Sequence, residues 1–275
     1  MTLVPESQVR LTVAGVGLAL RGAGPHHAVL RGDRYQPFLT DALPAATVDV
    51  TTAEVNRDQA VTGPEITLHD QVLSYRIYGG EGTLDAAAGT GWLCTVADET
   101  IAHGALANFL RVAYALLLIR HGGFLFHSAG MIRNSRGYVF YGHSGSGKTT
   151  ISRLSRHQAT LLSDDLVALR AHDGVWRVYG TPFWGDLADH PKTNASAPLR
   201  GLFSLVKDHE VKLEPLSSSQ AVADVVSSVP VTCNAPHLSA QLIDLCADLA
   251  AQVPCYRLHF SPDDSFWRVI DELET

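Results

Sequence analysis

The feature that most constrains this chain is a glycine-rich segment between an apolar run and a polar run. Residues 142–149 read Gly-His-Ser-Gly-Ser-Gly-Lys-Thr, which satisfies the pattern G-x-x-x-x-G-K-[ST] at every defined position. The apolar run Tyr138–Tyr141 before it is typical of a buried strand, and the residues from Lys148 to about Arg156 favour a helix. The sequence therefore predicts a strand, a tight loop and a helix in succession, the context in which this pattern binds phosphate.

Each residue type in this segment has a chemical reason to be there. Glycines let successive backbone N–H groups turn toward phosphate oxygens, and a helix N-terminus adds the positive end of its dipole. The Lys148 ammonium can contact the β- and γ-phosphates, and the Thr149 hydroxyl can ligate Mg²⁺. We therefore predict ATP and Mg²⁺ as cofactors, in a site formed by Gly142, Ser144, Gly145, Ser146, Gly147, Lys148, Thr149 and Thr150. The alternative is a flexible glycine turn beside a chance lysine.

Composition excludes several classes of function. The 275 residues carry a formal net charge of -7, which argues against a nucleic-acid partner. The apolar run between Arg111 and Arg120 is about eight residues long, and a membrane span needs about 20, so we expect a buried helix ended by Gly122-Gly123 and no membrane. The four cysteines form no CxxC pair and no signal peptide opens the chain, which favours a cytoplasmic location.

The chain divides by pattern into two parts. Residues 1–95 are rich in Val, Thr, Gly and Pro with frequent turn signals, and they predict a small β-rich domain. Residues 96–275 predict an α/β domain around the phosphate loop, because apolar strand patterns there alternate with helical ones. The expected strands are GGFLFHSAGMIR, GYVFYG, ATLLSDD, LVALRA, WRVYG, RGLFSLV and CYRLHF, and the expected later helices are SQAVADVV, LSAQLIDLCADLAAQ and DDSFWRVIDEL.

A pair of carboxylates follows the phosphate loop closely. Asp164 and Asp165 end the apolar strand ATLLSDD, and adjacent side chains on an extended chain point to opposite sides. Phosphoryl transfer needs a carboxylate that holds the metal and, in a kinase, a base that accepts the proton of the acceptor hydroxyl. The pair could supply both, although an Asp-rich turn or helix cap would look the same in isolation.

The sequence from FHSAGMI through GHSGSGKTT to LLSDD resembles the catalytic domain of HPr kinase/phosphorylase. The resemblance covers about residues 122–271 and implies a mixed sheet around the loop, related to phosphoenolpyruvate carboxykinase. It further implies that Asp164 is the base and that Asp165 belongs with Thr149 to the Mg²⁺ site. Residues 1–95 do not resemble the N-terminal domain of that family.

The same resemblance suggests further site residues. His127 stands where the family has a His-Gly pair, although Ser128 follows it here. Arg200, in APLRGLFSLV, is a candidate for stabilising charge on the transferred phosphoryl group, and otherwise a surface arginine. Asp186, in YGTPFWGDL, is a weaker candidate for the acceptor pocket, because its aromatic and proline neighbours could simply shape a loop.

These observations predict an ATP- and Mg²⁺-dependent kinase that acts on a Ser/Thr-type hydroxyl of a protein, a peptide or a small molecule. Asp164, Lys148, Arg200 and His127 are the expected catalytic residues. The alternatives are a non-catalytic nucleotide-binding regulator and a carboxykinase-type lyase; the histidines before the loop have no lysine near them, which disfavours the lyase. Assembly into a homo-oligomer is a further expectation from the resemblance.

Overall fold

The structure is a computed structural model that describes residues 8–22, 24, 26–54, 63–230 and 236–273. It is a mixed α/β fold with two mixed sheets, of seven and eight strands, and six α-helices in those residues. The chain splits into two compact units. The first comprises residues 1–121 with 231–239, and the second comprises residues 122–230 with 240–275. The predicted boundary at residue 95 differs from this division, which falls after His121.

The first unit contains the seven-stranded sheet. Its elements are β1 (Gln8–Val13), β2 (Val16–Arg21), α1 (His26–Arg31), β3 (Ala46–Ala53), β4 (Glu65–His69), β5 (Val72–Ile77), β6 (Gly80–Asp85), β7 (Thr90–Val96) and α2 (Glu99–Arg120). The strand order is β1-β2-β3-β7-β6-β5-β4, with β3 parallel to both of its neighbours and the other pairs antiparallel. All seven strands of this sheet lie before residue 97.

Helix α2 packs on this sheet and explains the apolar run in the sequence. The Asp98 side chain caps its N-terminus by accepting from the backbone N–H groups of Thr100 and Ile101, both at 3.0 Å. The Tyr75 hydroxyl on β5 donates to the Ala105 carbonyl at 2.9 Å, which ties the helix to the sheet. By length and composition α2 could cross a membrane, but 72% of its most apolar 18-residue window is buried inside the protein, as in a core helix.

The second unit contains the eight-stranded sheet. Its elements are β8 (Gly123–Arg133), β9 (Arg136–Tyr141), α3 (Lys148–Ser155), β10 (Thr160–Ser163), β11 (Leu166–His172), β12 (Val175–Tyr179), β13 (Ser196–Lys207), β14 (Lys212–Pro215), α4 (Ser218–Ser227), α5 (Pro236–Gln252, which begins in the first unit), β15 (Cys255–Phe260) and α6 (Phe266–Glu272). Every strand and helix expected in this region is present. Strand β14 was not expected from the sequence.

The strand pairing brings the carboxyl ends of three strands to one edge of this sheet. Strand β9 pairs with β8 and with β13, so β8, β11, β12, β13 and β9 form a closed circuit of pairings. Strands β9, β13 and β15 are mutually parallel in the order β9-β13-β15. Their carboxyl ends, Tyr141, Lys207 and Phe260, therefore face the same way, and such an edge is where open α/β sheets bind ligands.

An aromatic core fixes this edge. Phe140 on β9 stacks on Phe203 of β13, with ring centroids 5.2 Å apart, and meets Phe266 and Trp267 of α6 edge to face. The Trp267 indole N–H donates to the Ser155 hydroxyl at the end of α3 at 3.1 Å. Because these rings are almost fully buried, α3 and the loop before it sit on a close-packed base.

His26 in the first unit is expected to make the protein less stable in mild acid. Its side chain is only 2% exposed, and burial, together with the neighbouring His27, lowers the pKa of His26 from 6.5 to about 4. From pH 6.5 down to about 4 the unfolded chain binds a proton that the folded chain excludes, so stability falls as the pH falls through this window. Thermal unfolding should therefore show a melting temperature several degrees lower near pH 5 than near pH 7.5.

The matched variants are His26→Phe and His69→Phe, the latter at a side chain that is 95% exposed. His26→Phe should reduce the difference in melting temperature between the two pH values, whereas His69→Phe should keep it. An unchanged difference in His26→Phe would assign the acid sensitivity to other groups.

Candidate active site

The glycine loop, residues 142–147, joins β9 to α3 as the sequence predicted. Gly142, Gly145 and Gly147 have φ angles of 150°, 79° and 112°, a region that side chains other than glycine rarely adopt. At Gly147 a Cβ atom would lie 2.5 Å from the Phe260 ring. The loop conformation thus depends on these three glycines, which explains their spacing in the motif.

The start of α3 is open to an anion. Its N-cap is Gly147, which provides no side-chain oxygen for the first-turn N–H groups. The Lys148 ammonium folds back on the loop and donates to the Gly142 and His143 carbonyls at 2.7 and 3.3 Å. Burial lowers the pKa of Lys148, and the nearby charge of Asp165 opposes that shift. A cation and uncapped helix N–H groups together fit the phosphates of a nucleotide.

Asp164 and Asp165 interrupt what would otherwise be one strand. Strand β10 before them and β11 after them pair with the same strand, β8. The Ser163 hydroxyl bridges the break, because it accepts from the Asp165 and Leu166 N–H groups, both at 3.1 Å, and donates to the Phe183 carbonyl at 2.7 Å. The sequence predicted adjacent carboxylates on an extended chain, whereas here both lie in a bend between two strands.

Asp164 is buried and holds a loop. It is 4% exposed, and its two carboxylate oxygens accept from the backbone N–H groups of Gly185 and Leu187, each at 2.9 Å. Between these residues stands Asp186, whose carboxylate accepts from the Thr149 hydroxyl at 3.2 Å. Asp164 therefore positions Asp186 against the first turn of α3.

Asp165 faces the other way, toward His127. Its carboxylate oxygen lies 3.1 Å from His127 Nδ1, and the two side chains are 28% and 41% exposed. The His127 backbone N–H donates to the Ser228 carbonyl at the end of α4, at 2.9 Å. Asp165 is thus the more accessible carboxylate of the pair, and His127 is fixed beside it.

These groups line one pocket of about 330 Å³. The glycine loop and α3 contribute Ser144, Gly145, Gly147, Lys148, Thr149 and Thr150, all of them predicted. The rest of its lining is formed by His127, Asp164, Asp165, Gly185, Asp186 and Lys207. Two predicted loop residues do not line it: Gly142 faces a neighbouring cavity, and Ser146 is 4% exposed within the loop.

The strand register places Arg200, a predicted catalytic residue, away from the glycine loop. On β13, Ser204 pairs with Tyr141 at the end of β9, whereas Arg200 lies four residues earlier, between the partners of Gly137 and Tyr138. That separation is about 13 Å along the strand, away from the glycine loop. The Arg200 guanidinium donates to the Leu273 carbonyl at 3.2 Å.

Lys207, at the carboxyl end of the same strand, lines the pocket instead. Sequence reasoning missed it, because only the parallel pairing of β13 with β9 brings its position beside the loop. The only indication of Lys207 in the sequence was weak, namely a lysine at the end of an apolar strand pattern.

The oxygen donors of the pocket fit Mg²⁺ bound together with phosphates. Among the described residues there is no cluster of three or more His, Cys, Asp or Glu side chains that would enclose a metal ion. Mg²⁺ is usually held by one or two carboxylates plus phosphate oxygens and water, and Thr149, Asp165 and Asp186 offer that kind of incomplete set.

Comparison with known proteins gives structural matches, one of which is described here, and one family. The HPr(Ser) kinase/phosphatase from Coxiella burnetii matches with a TM-score of 0.32 and 12% sequence identity, over 55% of this chain and 87% of that chain. A similarity this low carries no information about the activity of this chain. No curated protein matches the sequence. Residues 93–274, roughly two thirds of the chain, match the family described as SynChlorMet cassette protein ScmC, and the chain therefore belongs to the ScmC family.

Proposed function

We propose that this protein is an ATP- and Mg²⁺-dependent kinase that transfers a phosphoryl group to a Ser/Thr-type hydroxyl of a protein, a peptide or a small molecule. The observation that carries the proposal is the pocket, where a buried lysine and an uncapped helix N-terminus face two differently placed carboxylates. A cradle for phosphate alone would need only the first two. The carboxylates add the groups that phosphoryl transfer requires.

On this proposal the residues divide into two sets. Lys148, Lys207 and the first-turn N–H groups of α3 hold the phosphates, and Thr149 with the Asp186 carboxylate beside it holds the metal ion. When bound, MgATP supplies the phosphoryl group and the charge that orients it. The protein contributes positioning and electrostatic stabilisation, which provide most of the acceleration in this class of reaction.

The geometry favours Asp165, with His127, as the base, which reverses the order implied by the resemblance to HPr kinases. Both oxygens of Asp164 are committed to the loop 185–187, whereas Asp165 is accessible. As the acceptor oxygen bonds to the γ-phosphorus, the bond to the β,γ-bridging oxygen breaks and ADP leaves. The hydroxyl proton passes to Asp165.

A cytoplasmic location is part of the proposal. Intracellular ATP suits the reaction, and the cysteines of the described residues, Cys94, Cys246 and Cys255, are free thiols. Burial raises the pKa of the Cys246 thiol to about 12 and that of the Cys255 thiol to about 11, so neither is poised to react. A homo-oligomer remains a prediction from the resemblance.

Nucleotide binding and transfer test the proposal directly. We expect Lys148→Met to weaken MgATP binding at least about tenfold and to remove transfer of label from γ-labelled ATP to acceptors and to water, because the variant loses the cation that contacts the phosphates. Displacement of a fluorescent ATP analogue measures the binding. Lys212→Met is the control, since Lys212 pairs with Glu214 at 3.0 Å and does not line the pocket.

Two outcomes would contradict the kinase. If ATP binds but no label moves to any acceptor or to water, and Lys148→Met behaves like the wild type, the protein is a nucleotide-binding regulator. CO₂ release that depends on oxaloacetate would indicate a carboxykinase-type lyase.

A further inference from the structure

A second cavity is also lined by His127. It measures about 640 Å³, the size of a small-molecule site, and is formed by the end of β9, the end of β13 and the last turn of α4. Among the described residues, His127 is the one that lines both this cavity and the pocket of about 330 Å³. A molecule in the cavity would therefore lie next to the Asp165–His127 pair.

Tyr141 lines this cavity, and its buried hydroxyl lacks a hydrogen-bond partner among the described residues. Tyr141 is 1% exposed, and its hydroxyl forms no hydrogen bond of normal geometry with the described residues, although the Ser204 hydroxyl is close enough to influence it. Burial and the charge of Asp224 raise the pKa of Tyr141 well above its usual range, so the phenol stays protonated. An unpaired buried hydroxyl is costly, and a bound ligand would satisfy it.

Asp224 gives the cavity a negative charge. Its carboxylate has no ion pair among the described residues, and Asp224 lies in the last turn of α4, where the helix dipole is also negative. The Ser227 and Ser228 hydroxyls donate to the Asp224 carbonyl, at 2.8 and 3.0 Å, and so present oxygen lone pairs to their surroundings. Every one of these groups favours a positively charged ligand or a hydrogen-bond donor.

No lysine or arginine lines the cavity within the part of the chain that the structure describes. The Arg257 guanidinium opposes the rise in the pKa of Tyr141, but it forms an ion pair with Glu214 at 4.0 Å and does not line the cavity. The contrast with the neighbouring pocket is clear, because Lys148, Lys207 and the start of α3 make that pocket attractive to anions. The pocket of about 330 Å³ thus combines two lysines with three carboxylates, whereas Asp224 is the one Asp or Glu among the described residues that line the second cavity.

We propose that the second cavity binds the phosphate acceptor, and that the acceptor carries an ammonium group beside the hydroxyl that receives the phosphate. The ammonium would contact Asp224 and the serine oxygens, the Tyr141 hydroxyl would hydrogen-bond the acceptor, and the acceptor hydroxyl would point past His127 to Asp165. This inference rests on the proposed kinase function and names its substrate class. The same chemistry occurs in a free amino alcohol and in the N-terminal serine of a peptide.

Binding of matched probes tests the cavity without any need for catalysis. L-serine amide and Ser-Gly-Gly amide present the ammonium and hydroxyl, and N-acetyl-L-serine amide lacks the charge. Titration calorimetry of the full chain should show that both cationic probes bind and that the neutral probe binds much more weakly. Asp224→Asn should weaken the cationic probes about ten- to hundredfold, the value of a charge-assisted hydrogen bond.

Two further variants test the role of Tyr141 and provide a control for the loss of a carboxylate. Tyr141→Phe should weaken the probes by a smaller factor, and Asp244→Asn, an exposed carboxylate on α5, should leave their affinities unchanged. MgATP affinity should stay at the wild-type value in all three variants, which shows that they are folded.

The outcomes separate this inference from the kinase proposal. Binding that depends on Asp224 supports the cavity assignment for whichever cationic probe shows it, even if no label is transferred and the kinase proposal fails. Label transfer that is equal in wild type and Asp224→Asn would overturn the assignment while the kinase stands. The assignment of the second cavity to the acceptor would also be overturned if no cationic probe binds. The same holds if adenosine competes with the probes, because the cavity would then be the site of the nucleotide base.

Discussion

Asp165→Asn should lower phosphoryl transfer by roughly 10²- to 10⁴-fold, the contribution of a general base, with MgATP affinity changed by only a few-fold. Asparagine keeps the size of the side chain and can still hydrogen-bond His127, but its amide cannot take up the hydroxyl proton. The Asp165 carboxylate lines the pocket of about 330 Å³ and lies 3.1 Å from Nδ1 of His127, which also lines the second cavity. On this proposal it is therefore the carboxylate that an acceptor would meet. Rates of label transfer and a nucleotide titration on the same preparation measure the two effects.

The control is Asp173→Asn, at a carboxylate that is 90% exposed in the turn between β11 and β12. It should transfer label at the wild-type rate. Near-normal transfer by Asp165→Asn would remove Asp165 from the base role and return that role to Asp164. A large loss of MgATP affinity in Asp165→Asn would instead place the residue mainly at the metal.

The parts of the site that the sequence predicted are those encoded by contiguous residues. The glycine loop is one such part, because three glycines with positive φ, a lysine and the start of a helix are adjacent along the chain. The pair Asp164-Asp165 is another, since a break in a strand is a local event. Backbone conformation at such places depends mainly on nearby residue types, so a short pattern is enough to indicate it.

The parts that the sequence did not predict depend on pairing between distant segments. Lys207 reaches the pocket, and Arg200 is about 13 Å further back on the same strand, only because β13 pairs with β9 in one register. A shift of that register would exchange which residues reach the loop. Asp186 reaches Thr149 through the two hydrogen bonds between Asp164 and the loop 185–187. Neither relation leaves a pattern in the linear sequence.

Substitution of Asp164 should act differently from substitution of Asp165, because it should lower the stability of the folded protein. In Asp164→Asn one oxygen is replaced by an NH₂ group, which must face the N–H of either Gly185 or Leu187. Because Asp164 is 4% exposed, water cannot satisfy the two opposed donors. We expect the free energy of unfolding to fall by about 1–3 kcal/mol, the cost of a buried polar group without a partner. Urea denaturation of the wild type and the variant measures this difference.

The loss should be concentrated in the loop that carries Asp186. Hydrogen exchange at the Gly185 and Leu187 amides should accelerate in Asp164→Asn, because their acceptor is weakened. MgATP affinity should fall in parallel, since Asp186 is then free to leave the Thr149 hydroxyl. Asp165→Asn should change neither exchange rate. If Asp164→Asn proves as stable as the wild type and loses only transfer, Asp164 acts on the substrate directly and the division of roles between the two carboxylates is the reverse of the one proposed. The two variants thus test the proposed division of roles, in which Asp164 holds the loop 185–187 and Asp165 accepts the proton of the acceptor.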